Sequence, residues 1–269
     1  MIINYSKIKL YLQLSLPPFF IKIIRFFFIK ISVHFMKFKD DDLFSSENYR
    51  DYKSIYYETD SKNRKGVFFV DIEKLYYFGG IKYNSNQQPF TAYYHQGIGA
   101  LKSFYGRHNP NCIMEKHFIN AKEEYPLKGV DLPWYSVREK KYDTGEHGLN
   151  YTHGDQHFGP VSDQKVELEA KRLDKLKDSM LVHGYRKFYD GYPRGYVLEN
   201  NDRYSVLIVG GQHRVATLIY LGYKNLPIIF SKSFPPIVNI NDVDNWPYVK
   251  AGIVKKSDAI RIFNSYFDE

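Results

Sequence analysis

The densest chemistry in the chain lies at Gly210-Gly211-Gln212-His213-Arg214. The preceding Tyr204–Val209 is rich in residues that fill a buried pleated surface, and a glycine pair after it can take the backbone angles of a sharp strand-to-helix turn. Gln212, His213 and Arg214 then fall in the first turn of a short helix, with Gly222 ending it and a second strand running through Phe230. A turn of this kind presents unbonded N–H groups at the positive end of a helix dipole, and an arginine there can grip two phosphate oxygens at once. The ligand these features predict is a polyphosphate. The plainer alternative is an ordinary strand–helix–strand unit with a capped helix.

A second group of reactive side chains lies between Asp143 and Ser162, a stretch so rich in Gly, His and polar residues that it reads as a loop. His153 and His157 are four apart, but without a helix that spacing does not set them on one face for a metal. Asp155, His153 or His157 reaching into the phosphate site is one reading, and a hydrogen-bonded surface loop is the other. Asp155, His157 and Glu169 are the candidates for a general base.

The run Gly-Gly-Gln-His-Arg-Val-Ala, followed by a Leu-Gly-Tyr turn and Leu-Pro-Ile, resembles the signature of the ParB/sulfiredoxin superfamily. It is most similar to sulfiredoxins and to the free-serine kinases built on the same fold, over residues 165–232. The resemblance implies that Gly210, Gly211, Gln212, His213 and Arg214 hold nucleotide phosphates. Sulfiredoxins carry their reactive cysteine where this chain has Gln212, and a carboxamide cannot become a thiolate nucleophile, so sulfinic acid reduction by that route is excluded. In the same family a cation and two further residues face the phosphates from the preceding helix. The matching positions are Arg172, Lys175 and Ser179, which share one helical stripe, with a lysine where the family has a small hydroxyl. A solvated charged face is the competing reading of that stripe. His-Gly-Asp-Gln-His-Phe-Gly-Pro-Val-Ser and the later Trp-Pro-Tyr-Val-Lys-Ala-Gly also resemble a ParB-like group encoded among bacterial polysaccharide biosynthesis genes.

The elements that must position these residues follow from pattern. Ser162 and Asp163 open a helix carried by Val166, Ala170, Leu173, Leu176 and Met180, and Gly184 closes it. Gly195–Glu199 and Tyr204–Val209 read as a hairpin leading into the glycine turn. Val67–Ile72 reads as a strand, Gly79-Gly80 as a turn, and Phe90, Tyr94, Ile98, Leu101 and Tyr105 suit a single helix over 89–106. Ser257 is expected to cap a last helix bearing Ala259, Ile260, Ile262, Phe263 and Phe267. The fold class expected is α+β, with a ParB/sulfiredoxin-like nucleotide-binding core over 143–269. A largely helical N-terminal extension precedes it: a basic amphipathic segment over 1–39, a linker over 40–65, and 66–142 packed on the core.

A chain of 269 residues with 43% hydrophobic residues is long and apolar enough for a sizeable core. The single cysteine, Cys112, excludes an intramolecular disulfide and a multi-thiolate metal site, and suits a reducing compartment. Net charge is +8, yet seven of the 38 basic residues precede the first acidic one, Asp40, and the other 31 meet 30 acidic residues. The body of the protein is therefore near neutral and offers no general field for nucleic acid. Around a helix starting at Pro17-Pro18, Lys22, Arg25, Lys30, His34 and Lys37 fall on one half and Phe20, Ile21, Ile24, Phe27, Phe28, Ile31 and Phe35 on the other. That is the pattern of a segment lying in a membrane interface, against a buried docking helix as the alternative. A cytoplasmic protein held peripherally on the membrane is the expected location.

The expected function is nucleotide-dependent phosphotransfer to a small hydroxyl compound, sugar or lipid-linked glycan, with ATP or another nucleoside phosphate and Mg²⁺. A nucleotide-binding switch or scaffold needs no base and is the alternative. ParB-type DNA binding is disfavoured, because the residues after Phe230 carry two prolyl breaks and no basic cluster.

Overall fold

The computed structural model describes residues 50–58, 66–109, 131–136, 149, 151–185 and 191–267. The amphipathic segment expected within 1–39 lies outside the described residues. Along the chain run α1 (Tyr52–Glu58), β1 (Val67–Asp71), β2 (Leu75–Tyr77), β3 (Ile81–Lys82), α2 (Pro89–Gln96), α3 (Ile98–Arg107), α4 (Asp163–His183), β4 (Arg194–Asn200), β5 (Arg203–Gly210), α5 (Gln212–Tyr220), β6 (Asn225–Phe230), β7 (Ile237–Asn239), α6 (Pro247–Lys250) and α7 (Lys256–Asn264). The described strands form one mixed sheet in the order β1-β6-β4-β5-β2-β3, with β7 also beside β4. The protein is thus a mixed α/β fold.

The hairpin forms where the sequence predicts it. β4 and β5 pair antiparallel from Asn200↔Arg203 to Arg194↔Gly210, with an irregularity between Arg194 and Gly195. Its tight end passes through Asn201, at φ 53°, a conformation asparagine tolerates better than most residues. Helix α5 then returns the chain to β6, which pairs parallel with β4 and antiparallel with β1. β2 lies parallel to β5. Residues 67–82, expected to belong to an extension packed on the core, therefore supply strands of the central sheet.

Successive strand residues face opposite sides of a sheet, and β2 shows what covers each side. Tyr77 points to Phe90 of α2, at 5.9 Å between ring centroids, while Tyr76 meets Tyr266 just after α7 at 5.8 Å. On the first side, α2 packs on α3 and α5, and α4 packs on α3 and α5. On the second, Trp134 makes edge contacts with Trp246, Phe263 and Tyr266, and its indole N–H donates to the buried Tyr196 hydroxyl of β4 at 2.7 Å. The functional candidates all belong to the first side.

Three expectations need correction. The single helix over 89–106 is two helices, because Gly97 adopts φ 68° and caps α2 before α3 begins. Lys255 rather than Ser257 precedes the last helix, with no side-chain cap. Residues 52–58, expected within a solvated linker holding at most one helical turn, form the longer α1. Tyr52, Ile55 and Tyr56 share one helical stripe, and Tyr52 and Ile55 are buried, with α1 packed on β1. Helix α4, by contrast, runs as predicted: the Ser162 hydroxyl accepts from the Lys165 N–H, and Gly184 at φ 68° ends it.

Candidate functional site

β5 ends at Gly210, and Gly211 at φ 78° stands before the first residue of α5. Only glycine takes that angle without strain, so the turn is fixed by composition. No side chain caps α5, whose first main-chain bond runs from the Val215 N–H to the Gly211 carbonyl at 3.1 Å. Gly211, at the cap position, has no side chain to accept from the early N–H groups of this helix.

Two guanidinium groups lie on this turn. Arg214 donates through Nη1 to the Gly191 carbonyl, and its Nη2 and Nε lie 3.1 and 3.2 Å from where a Cβ on Gly211 would stand. Arg194 stands opposite Gly210 across the hairpin, with Nε and Nη2 at 2.8 and 3.0 Å from a Cβ position on Gly210. The guanidinium edges thus pack against the two glycines, where a Cβ would crowd them. Gln212 is buried, and its Nε2 has no acceptor among the described residues. Sequence reasoning missed Arg194 altogether, because only the hairpin register brings it to the turn.

Beneath the turn lies a buried ionic cluster. Glu169 of α4 is fully buried; its Oε1 pairs with Lys165 Nζ at 3.1 Å and Arg172 Nη1 at 3.2 Å, and its Oε2 pairs with His213 Nε2. Lys165, one turn before Glu169, is itself only 3% exposed. The His213 ring stacks on Phe90 at 4.2 Å between centroids. Burial alone would push the Glu169 carboxyl up, but the hydrogen bond and charge of His213, with Arg172 and Lys165, pull it down to about 2. A carboxylate so acidic and so fully engaged is an anchor, and the general-base role expected of Glu169 does not suit it. His213, expected on the phosphates, turns Nε2 to Glu169 and its face to Phe90.

The third group is the loop before α4. The Gln156 carbonyl accepts from the hydroxyls of Tyr77 at 3.0 Å and Tyr105 at 2.9 Å. Tyr77 Oη also lies 3.0 Å from His157 Nδ1. Burial, and then the charges of Tyr105, Tyr83, Asp155 and Glu169, hold the Tyr77 phenol well above its usual value, so it keeps its proton. That one proton goes to a carbonyl that can only accept. His157 therefore carries hydrogen on Nδ1, and in the neutral ring Nε2 is the basic nitrogen. Asp155 is exposed and its Oδ1 accepts from the His157 N–H at 2.7 Å. His153 turns Nδ1 to Ser162 Oγ at 2.8 Å and braces the start of α4. Between His157 and His213 stand the rings of Tyr77 and Phe90.

The sequence-derived site is thus divided. Gly210, Gly211, Gln212 and Arg214 come together at the turn, with Arg194. Arg172 turns to Glu169, while Lys175 and Ser179 are exposed on α4. A surface depression of about 270 Å³ is lined by Leu149, Gln164, Glu167, Leu168 and Lys171, none of which belongs to the turn. Among the described residues no group of three or more His, Cys, Asp or Glu side chains is arranged to hold a metal, and no helix is long and apolar enough to cross a membrane. No family model, curated protein or solved structure matches the chain.

Proposed function

We propose that the protein binds a nucleoside polyphosphate at the Gly210–Arg214 turn, in the manner of the ParB/sulfiredoxin proteins its sequence resembles, and transfers a phosphoryl group to a hydroxyl acceptor. One observation carries the reading. A glycine pair at an uncapped helix start carries two arginines, Arg194 and Arg214, and among the described residues neither meets a carboxylate. Phosphate oxygens satisfy donors of this kind. Mg²⁺ would arrive on the nucleotide, held by phosphate oxygens and water.

In the transfer, an acceptor hydroxyl gives its proton to a base as its oxygen takes the terminal phosphoryl group, and the shortened nucleotide leaves. With Glu169 engaged by Lys165, Arg172 and His213, Asp155 and His157 are the residues left for that base. Arg194 and Arg214 offer charge to the transferred and leaving groups. The acceptor is a small alcohol, a sugar or a lipid-linked glycan, the last suiting the membrane-interface segment expected from the sequence of residues 1–39.

A nucleotide switch without transfer is the second reading. It is favoured by the two aromatic rings that separate the 155–157 loop from His213. A panel of ATP, ADP, CTP and GTP with Mg²⁺, assayed for binding and for turnover with sugar and alcohol acceptors, separates the two. In the transferase, Asp155→Asn and His157→Ala keep nucleotide affinity and lose transfer. Binding with no turnover in the wild type selects the switch, and no binding of any nucleotide removes both.

A further inference from the structure

We infer that helix α1 is a second membrane contact, which sets Tyr57 into the interface of an anionic bilayer and turns the Gly210–Arg214 end of the sheet toward it. This contact rests on the membrane segment expected within residues 1–39 and adds to it a surface of the folded domain.

The two faces of α1 differ in character. Tyr52 and Ile55 are buried, and a Cβ on Gly66 would run into Ile55. The Tyr52 hydroxyl donates to Glu199 Oε1 at 2.7 Å, and the Tyr56 ring meets Phe230 at 6.3 Å between centroids. The helix is thereby fixed in rotation. At about 100° per residue, Lys53, Ser54 and Tyr57 then point outward. Tyr57 is 77% exposed, Lys53 is exposed beside it, and Arg50 is exposed just before the helix.

An outward tyrosine among cations has the chemistry of an interfacial anchor: the ring sits at headgroup level while the cations meet lipid phosphates. Lys53 keeps 58% of its side chain exposed, with Nζ 3.8 Å from Glu199. Asp51 directs its carboxylate to the helix start, accepting from the Lys53 and Ser54 N–H groups at 2.7 and 3.0 Å.

Chain continuity supplies the occupant. Residues 40–49 alone separate the segment expected on the membrane from Arg50. Fully extended, they span at most about 36 Å, so α1 stays within reach of any surface that holds that segment. Asp40, Asp41 and Asp42 belong to this leash and not to the outward stripe. Phe230, against Tyr56, pairs with Gly195, and the neighbouring Arg194 faces Gly210. The glycine turn thus stands two strand spacings, about 10 Å, from Phe230. A bilayer under Tyr57 brings a lipid-linked acceptor to that end of the sheet, which favours this class among the acceptors above.

The test places a tryptophan at the contact. Full-chain Tyr57→Trp is mixed with vesicles of phosphatidylcholine, alone or blended with phosphatidylserine, and its emission is compared with that of the wild type, whose Trp134 and Trp246 are buried. The added emission is expected to move to the blue on the anionic vesicles and to stay in place with phosphatidylcholine alone. Tyr57→Ser, with a thermal melt matching the wild type, is expected to float with anionic vesicles about threefold or more weakly. Flotation of Tyr57→Trp without a change in its emission overturns the α1 contact and leaves the N-terminal segment as the anchor. Emission already blue before vesicles are added, and unmoved by them, means that the protein's own chain covers residue 57, and overturns it too. A wild type that does not float overturns both membrane contacts, while nucleotide titration of the same protein reads the turn separately.

Discussion

Two groups of cations flank the start of α5, and the fold treats them in opposite ways. Lys165, Arg172 and His213 converge on the buried carboxylate of Glu169. Arg194 and Arg214 lie on the glycine turn with a main-chain carbonyl as their sole described acceptor. Buried charges must be answered within the protein, because leaving one unpaired costs several kcal/mol. Cations at a surface turn, Arg194 exposed and Arg214 half-buried, can be answered by a ligand. The first group is scaffold and the second is the proposed binding surface, although the sequence sets residues of both groups side by side at His213 and Arg214.

The largest expected effect breaks the scaffold. Glu169→Gln leaves Lys165 charged and buried, and should cost about 3–5 kcal/mol in urea unfolding. Arg194→Gln and Arg214→Ala, at the surface, should each stay within about 0.5 kcal/mol of wild type. The difference also has a pH signature. Glu169 falls from its ordinary 4.5 to about 2 in the fold, so its contribution is complete above 4.5 and is lost as the pH drops through about 2. Glu169→Gln should flatten that acid limb, and an unchanged limb would move the stabilising charge elsewhere.

Tyr77→Phe should have the next effect. It removes a hydrogen bond to Gln156 and the acceptor for His157, at about 0.5–1.5 kcal/mol for each, and leaves Tyr105 holding the carbonyl. Nitrogen-15 spectra of the imidazoles should show His157 with its proton on Nδ1 in the wild type and a mixture of tautomers in Tyr77→Phe. Protonation of Nε2 alone in the wild type would contradict the hydrogen-bond assignment. The smallest effects belong to Lys175→Ala and Ser179→Ala. Both residues are exposed, so stability should move by less than about 0.5 kcal/mol and nucleotide affinity by less than about twofold. A tenfold affinity loss for Lys175→Ala would return that stripe of α4 to the phosphate site.

The strand–turn–helix–strand unit was legible because each boundary has a local cause: apolar strand residues, Gly210-Gly211, and the turn after Tyr220. Helix α4 was legible for the same reason, through Ser162 and Gly184. The inward face of that helix was misread. Arg172, Lys175 and Ser179 share a stripe, but Glu169 sits amid Val166, Ala170 and Leu173, with Lys165 one turn before it. That placement on the apolar face was the available sign of a buried ion pair, whereas Glu169 was expected as a candidate base. The break at Gly97 was also signalled by a glycine inside the apolar series. Arg194 had no local signal, since its contact with the turn depends on a pairing register and a bulge that no single segment encodes.

The comparison between scaffold and binding surface is tested most directly by titrating Mg-ATP into the wild type and into Arg214→Ala. We predict a weakening of about 1.5–3 kcal/mol, the range for a hydrogen bond to a charged group, with an unfolding free energy that stays at the wild-type value. Undiminished affinity in a folded Arg214→Ala protein would contradict the assignment of the Gly210–Arg214 turn as the phosphate site.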